Sequence, residues 1–166
     1  MLNGFKQMKH YIMFSIVHVL TTTGIRNEEF CTLLIRDFKQ DTILGEYYLN
    51  VIGKGNKRRQ VPLNGKIVET IKMFRYVRGL PSIEESEPGE PLFTTNRGKA
   101  FVPSSLSQYV KKEINSLYKE LGRKPVAITP HHFRHTFAII SRLSNVDLYS
   151  IMNSLGHNSL LTTEIY

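Results

Sequence analysis

The chain has 166 residues, 22 Lys and Arg against 14 Asp and Glu, and a formal net charge of +8. That length suits one domain with its own core, and the positive excess points to a polyanionic partner, nucleic acid first. A single cysteine, Cys31, excludes an internal disulfide and a Cys-based zinc site, and no apolar run is long enough to span a membrane, so a reducing, cytoplasmic setting is expected.

Residues 4–22 are predicted to form a largely buried helix, because YIMFSIVHVL is almost wholly apolar. Gly24 can end it, and a second helix is expected from Arg26 to Phe38. The period then changes. Tyr47–Ile52 is β-branched and aromatic, GKGN is turn chemistry, and RRQVPL is a short second strand. Together they predict a β-hairpin whose tip carries Lys54, Lys57, Arg58 and Arg59. Helix resumes near Gly65, with Ile67, Ile71, Phe74 and Val77 on one face. Residues 51–80 hold eight Lys and Arg against one Glu, so the basic charge is concentrated on the hairpin and this helix.

GLPSIEESEPGEP reads as an acidic loop, and LFTTNRGKAF as holding a short extended piece. Pro103–Leu121 is an amphipathic helix with Leu106, Val110, Ile114, Leu117 and Leu121 in line. Thr129 as N-cap and Pro130 at the first helical position open the next helix. A short helix over 147–154 ends at Gly156, and a last one begins near Ser159. The fold class is therefore mainly α with a small antiparallel β-hairpin or sheet, an α+β domain without repeats or linkers.

Four stretches carry candidate chemistry. In TPHHFRH, His131 and Arg134 share one face at a helix start, where an imidazole and a guanidinium can meet one phosphate; a capping or surface role fits the same spacing. In TTGIRNEE, Arg26 opens a helix and Glu29 can orient its guanidinium or form a plain intrahelical ion pair. GKGNKRR projects Lys54 on a turn, either toward chemistry or as a phosphate contact without sequence preference. LGHNSLLTTEIY adds His157 and Tyr166. His131 and His135 also stand at zinc-ligand spacing, but no Glu lies between them and Arg134 would set a cation beside the metal, so no metal is expected.

The order and spacing of these stretches resemble the catalytic domain of the tyrosine recombinase (phage integrase) family over nearly the whole chain. The resemblance implies that fold and a site-specific DNA recombinase. Tyr166 would attack a DNA phosphodiester to leave a 3′-phosphotyrosyl bond, and strands would then exchange and rejoin without metal, ATP or other cofactor. By the same resemblance Arg26 and Arg134 clamp the non-bridging oxygens, Lys54 protonates the leaving 5′-oxygen, and His131 and His157 bind phosphate, His131 also moving a proton. Glu29 steadies Arg26, His135 and His132 stand behind the site, and Lys57, Arg58 and Arg59 touch the DNA backbone. Family members usually carry an N-terminal core-binding domain and a segment beyond the tyrosine. The expectation is thus one catalytic domain over residues 1–166 lacking both, monomeric by itself, from a protein that works as a DNA-bound tetramer on double-stranded DNA, with a mobile element as source. The hydroxyl of Tyr166 is expected to sit away from the arginines until DNA binds. A type IB topoisomerase and a DNA-binding module without catalysis are the alternatives.

Overall fold

Helix α1 (Leu2–Thr23) runs through the core because its apolar residues leave no continuous polar stripe: Ile12, Ile16, Val19 and Leu20 are all buried. The computed structural model describes residues 2–156. Gly24, at φ +63°, ends the helix in the left-handed conformation that glycine adopts most readily. Helix α1 packs against α3 (Gly65–Val77) and α5 (Pro130–Leu143).

The second helix is shorter than the sequence predicts. Helix α2 covers Asn27–Thr32, a 3₁₀ turn covers Ile35–Asp37, and Phe38 already opens a strand. The cause lies far along the chain. Leu33 O accepts from Leu92 N–H (2.9 Å), while Ile35 and Arg36 donate to Glu90 O (2.9 Å) and Pro88 O (3.0 Å). Leu33 O and the N–H groups of Ile35 and Arg36 thus find their partners in residues 88–92 instead of on the next helical turn. The acidic loop is ordered from within by Arg75, which is only 1% exposed. Its guanidinium donates to the carbonyls of Pro81, Pro91 and Leu92 and to Ser86 Oγ.

The predicted hairpin forms as β2 (Tyr47–Ile52) and β3 (Arg58–Leu63), and β1 (Phe38–Gln40) adds a third antiparallel strand in the order β1-β2-β3. Register decides which residues face inward. Tyr47 pairs with Leu63, Leu49 with Val61 and Val51 with Arg59. Because side chains alternate along a strand, these six share one face, and Leu49, Val51, Val61 and Leu63 are buried on it. Arg59 therefore belongs to the inward face and Arg58 to the outward one. The turn between the strands is a 3₁₀ piece, Lys54–Asn56, with Gly55 at φ 75° and Asn56 at φ 58°.

Helix α3 starts at Asn64, whose side chain accepts from Ile67 N–H at 3.0 Å, and buries Ile67, Ile71 and Phe74. Phe93 stacks on Phe30 with ring centroids 4.3 Å apart and meets Phe74 edge-on at 5.1 Å, joining α2, α3 and the segment after the acidic loop. The extended piece in LFTTNRGKAF is a single bridge between Thr94 and Ala100. Helix α4 (Pro103–Glu120) and α6 (Leu148–Leu155) complete the domain, and Gly156 caps α6 at φ +63°. The helix predicted from Ser159 lies outside the described residues.

Candidate active site

Helix α2 begins at Arg26 because Glu29 reaches back to cap it: Glu29 Oε2 accepts from Arg26 N–H at 2.6 Å. The same carboxylate accepts from the Arg26 guanidinium, Nη1 to Oε1, at 3.1 Å. A second and tighter partner comes from β3. Arg59 Nη1 and Nη2 donate to Glu29 Oε1 and Oε2 at 2.7 and 2.8 Å, a two-pronged pair. The Glu29 side chain is 3% exposed, that of Arg59 14% and that of Arg26 31%. Burial pushes the Glu29 carboxyl up. The hydrogen bonds from Arg59 and the Arg26 backbone, with both guanidinium charges, outweigh burial and hold it below the usual carboxylate value.

Arg134 is held still more deeply, at 4% exposure. It donates from Nη1 to Gly24 O at 2.6 Å and from Nη2 to Leu155 O at 2.5 Å. These are carbonyls at the C-terminal ends of α1 and α6, which the helices leave unpaired and which carry the negative end of the helix dipole. The end of α6 gathers three arginines in succession: Ser154 O accepts from Arg59 Nε (3.0 Å), Leu155 O from Arg134, and Gly156 O from Arg26 Nη2 (3.3 Å).

Arg26, Arg134 and His131 line one open cleft of about 460 Å³, together with Thr129, Ser107 and Glu28. His131 is exposed at the start of α5, and its Nε2 shares a hydrogen bond of 2.7 Å with His135 Nε2, the rings meeting edge-on. Burial first, then charge interactions with His131, His132 and Arg134, lower the pKa of His135. His132 accepts from Thr129 N–H at 3.1 Å through Nδ1.

The hairpin tip lies beside Arg26. Lys54, Lys57 and Arg58 are exposed, and Lys54 lines a smaller cleft of about 200 Å³ with Arg26, Arg59 and Gly156. The structure thus brings Arg26, Glu29, Lys54, His131, Arg134 and His135 to one corner of the domain. It corrects the expectation for Arg59, which does not face outward with Lys57 and Arg58 but turns in to Glu29 and α6. Asn27 is a further participant the sequence did not single out: its Nδ2 donates to Pro103 O (2.9 Å) and Ser107 Oγ (3.0 Å), fixing α2 against α4 beside the cleft. His157 and Tyr166 lie outside the described residues, as does the expected position of the Tyr166 hydroxyl. Among the described residues no group of three or more His, Cys, Asp or Glu could hold a metal ion, and no helix is long and apolar enough to cross a membrane.

The sequence profile of the phage integrase family matches residues 3–166. A tyrosine recombinase XerC of Thermodesulfovibrio yellowstonii is 34% identical over 92% of this chain and 48% of its own length. The chain spans about half the length of the curated relatives it matches. Among solved structures, XerH site-specific recombinase bound to difH substrate in a pre-cleavage complex superimposes with a TM-score of 0.71 at 25% identity, over 97% of this chain and 47% of that one. The XerA recombinase does so with a TM-score of 0.69 at 29% identity, over 97% and 55%.

Proposed function

The chain belongs to the phage integrase family of tyrosine recombinases, and from that premise we propose that its Arg26–His131–Arg134 cleft holds the scissile phosphate of a specific DNA site. The observation that carries the reading is the convergence of two guanidinium groups and an imidazole on one cleft, with Lys54 on the adjoining hairpin turn. In the proposed step the oxygen of Tyr166 bonds to phosphorus and its proton passes to His131. The bond from phosphorus to the 5′-oxygen breaks, and Lys54 supplies the proton that oxygen needs. A phenol has a pKa of about 10, so it attacks slowly at neutral pH without such help. Arg26 and Arg134, with a hydrogen bond from His157, offset the charge that grows on the non-bridging oxygens. The 3′-phosphotyrosyl bond keeps the energy of the broken ester, and a second 5′-hydroxyl reverses the step.

The full-length gene product acts, in this reading, as a DNA-bound tetramer encoded by a mobile element, while residues 1–166 alone are monomeric. A gene flanked by direct repeats that recombine, and sedimentation of the protein with and without DNA, test those two parts. The chemistry is tested with the full-length product on a nicked duplex bearing a site selected by binding. A covalent protein–DNA adduct should form, persist in EDTA and vanish in Tyr166→Phe. An adduct that needs magnesium would sink the mechanism, no adduct would leave a binding module, and relaxation of plasmids lacking the site would move the reading to a topoisomerase.

A further inference from the structure

We infer that Arg59 is a positioning residue of the strand-cleavage reaction, whose task is to let Glu29 orient Arg26 without neutralising it. The inference rests on the recombinase reading above and adds a residue to it. Its starting point is a conflict. Glu29 is a buried carboxylate next to the arginine that should meet a phosphate, and a buried carboxylate beside one arginine normally takes both prongs of its guanidinium. Such a pair would point Arg26 away from the cleft and cancel its charge there.

The geometry resolves the conflict through Arg59. A carboxylate offers about four acceptor positions, and Glu29 fills them with Arg59 Nη1, Arg59 Nη2, the Arg26 backbone N–H and one nitrogen of the Arg26 side chain. The two bonds to Arg59 are short, at 2.7 and 2.8 Å, whereas the single side-chain bond to Arg26 is 3.1 Å. Arg59 therefore balances the Glu29 charge, and Arg26 keeps a net positive field and an exposed edge on both clefts. The third bond of Arg59, Nε to Ser154 O, fixes β3 to the end of α6. One guanidinium thereby sets the hairpin that carries Lys54 in register with Arg26 and with the carbonyls of Leu155 and Gly156. Gly53, at the hairpin's base, is part of the fit: a Cβ there would stand 3.0 Å from Glu29 Oε1 and 3.4 Å from Arg59 Nη1.

The test uses the full-length gene product, single-turnover adduct formation at saturating DNA, and two nicked substrates that differ only at the scissile position. One carries the ordinary phosphate and the other an uncharged methylphosphonate, which needs less positive field from Arg26. Arg59→Ala is expected to slow cleavage of the phosphate about a hundredfold and of the methylphosphonate less than about tenfold. Arg59→Lys, which keeps the charge but lacks the fork, should fall between Arg59→Ala and wild type. The double variant Glu29→Gln/Arg59→Met removes both charges at similar volume, which protects the fold, and should cleave the phosphate about tenfold faster than Arg59→Ala. Wild-type rates in Arg59→Ala, an equal loss on both substrates, or a loss confined to DNA affinity with a lower salt slope would each overturn the positioning role. If wild type itself forms no adduct, the recombinase reading falls first and this inference with it.

Discussion

Replacing Gly24 by alanine should damage the domain through two separable effects. The first is backbone strain. Gly24 sits at φ +63°, where a side chain costs about 1–2 kcal/mol. The second is collision: a Cβ would stand 2.5, 2.8 and 3.0 Å from Cδ1, Cγ and Cε1 of Phe137. Relief requires the ring or α5 to move, and overpacking of this kind costs about 1–3 kcal/mol. The sum, about 2–5 kcal/mol, is a large part of the roughly 5–15 kcal/mol that holds a domain folded. At this chain length each kcal/mol lowers Tm by about 2–4 °C, so Gly24→Ala should melt about 4–20 °C below wild type. Thermal unfolding followed by circular dichroism reads this directly. Combining it with Phe137→Leu separates the two effects, because the smaller side chain clears the collision and leaves the strain. The double variant should be more stable than the sum of the single losses implies, by at least about 1 kcal/mol. A Gly24→Ala melt within about 1 °C of wild type, or strictly additive losses, refutes the reasoning.

Arg134→Lys should lose about 2 kcal/mol, since one ammonium cannot serve Gly24 O and Leu155 O in the same fork; Tm and adduct yield should both fall. Glu29→Gln should flatten the acid side of the stability curve. The folded state holds this carboxyl below its unfolded pKa, so its contribution is complete above the unfolded value and is lost as pH falls through the depressed folded one. Urea midpoints of both proteins between about pH 3 and 7 should converge toward the acid end, and parallel curves would contradict the assignment. The Cys31 thiol is buried, and burial first, with Glu28 nearby, raises its pKa to about 12. Iodoacetamide at about pH 8 should leave Cys31 unmodified in the folded protein and alkylate it in denaturant, as mass spectrometry can establish.

The elements written in local pattern were legible from the sequence. Tyr47–Ile52 and Arg58–Leu63 match their strands because alternation and the glycine turn are contained within a few residues. The Thr129–Pro130 start of α5 and the Gly156 end of α6 are equally local signals. What escaped depended on distant partners. Helix α2 stops at Thr32 because Pro88, Glu90 and Leu92 compete for its backbone, and nothing in CTLLIRDF announces them. Strand β1 has three residues, too few to show a period. Arg59 is the instructive miss. Charge grouped it with Lys57 and Arg58, yet strand alternation already set it on the side of Val61 and Leu63, the face that must be buried. At the site, family resemblance identified which residues to watch, and the pairing of Glu29 with two arginines required coordinates.

The three carbonyls that close α6 have a consequence for the order in which the site is assembled. Arg26, Arg59 and Arg134 come from segments near the start, middle and end of the chain, and each takes one of these carbonyls. A growing polypeptide therefore lacks one anchor for each of these three arginines until its last described helix has been synthesised and docked. A folded molecule that lets α6 swing out loses one anchor of each arginine at once, while Arg26 and Arg59 keep Glu29 and Arg134 keeps Gly24 O.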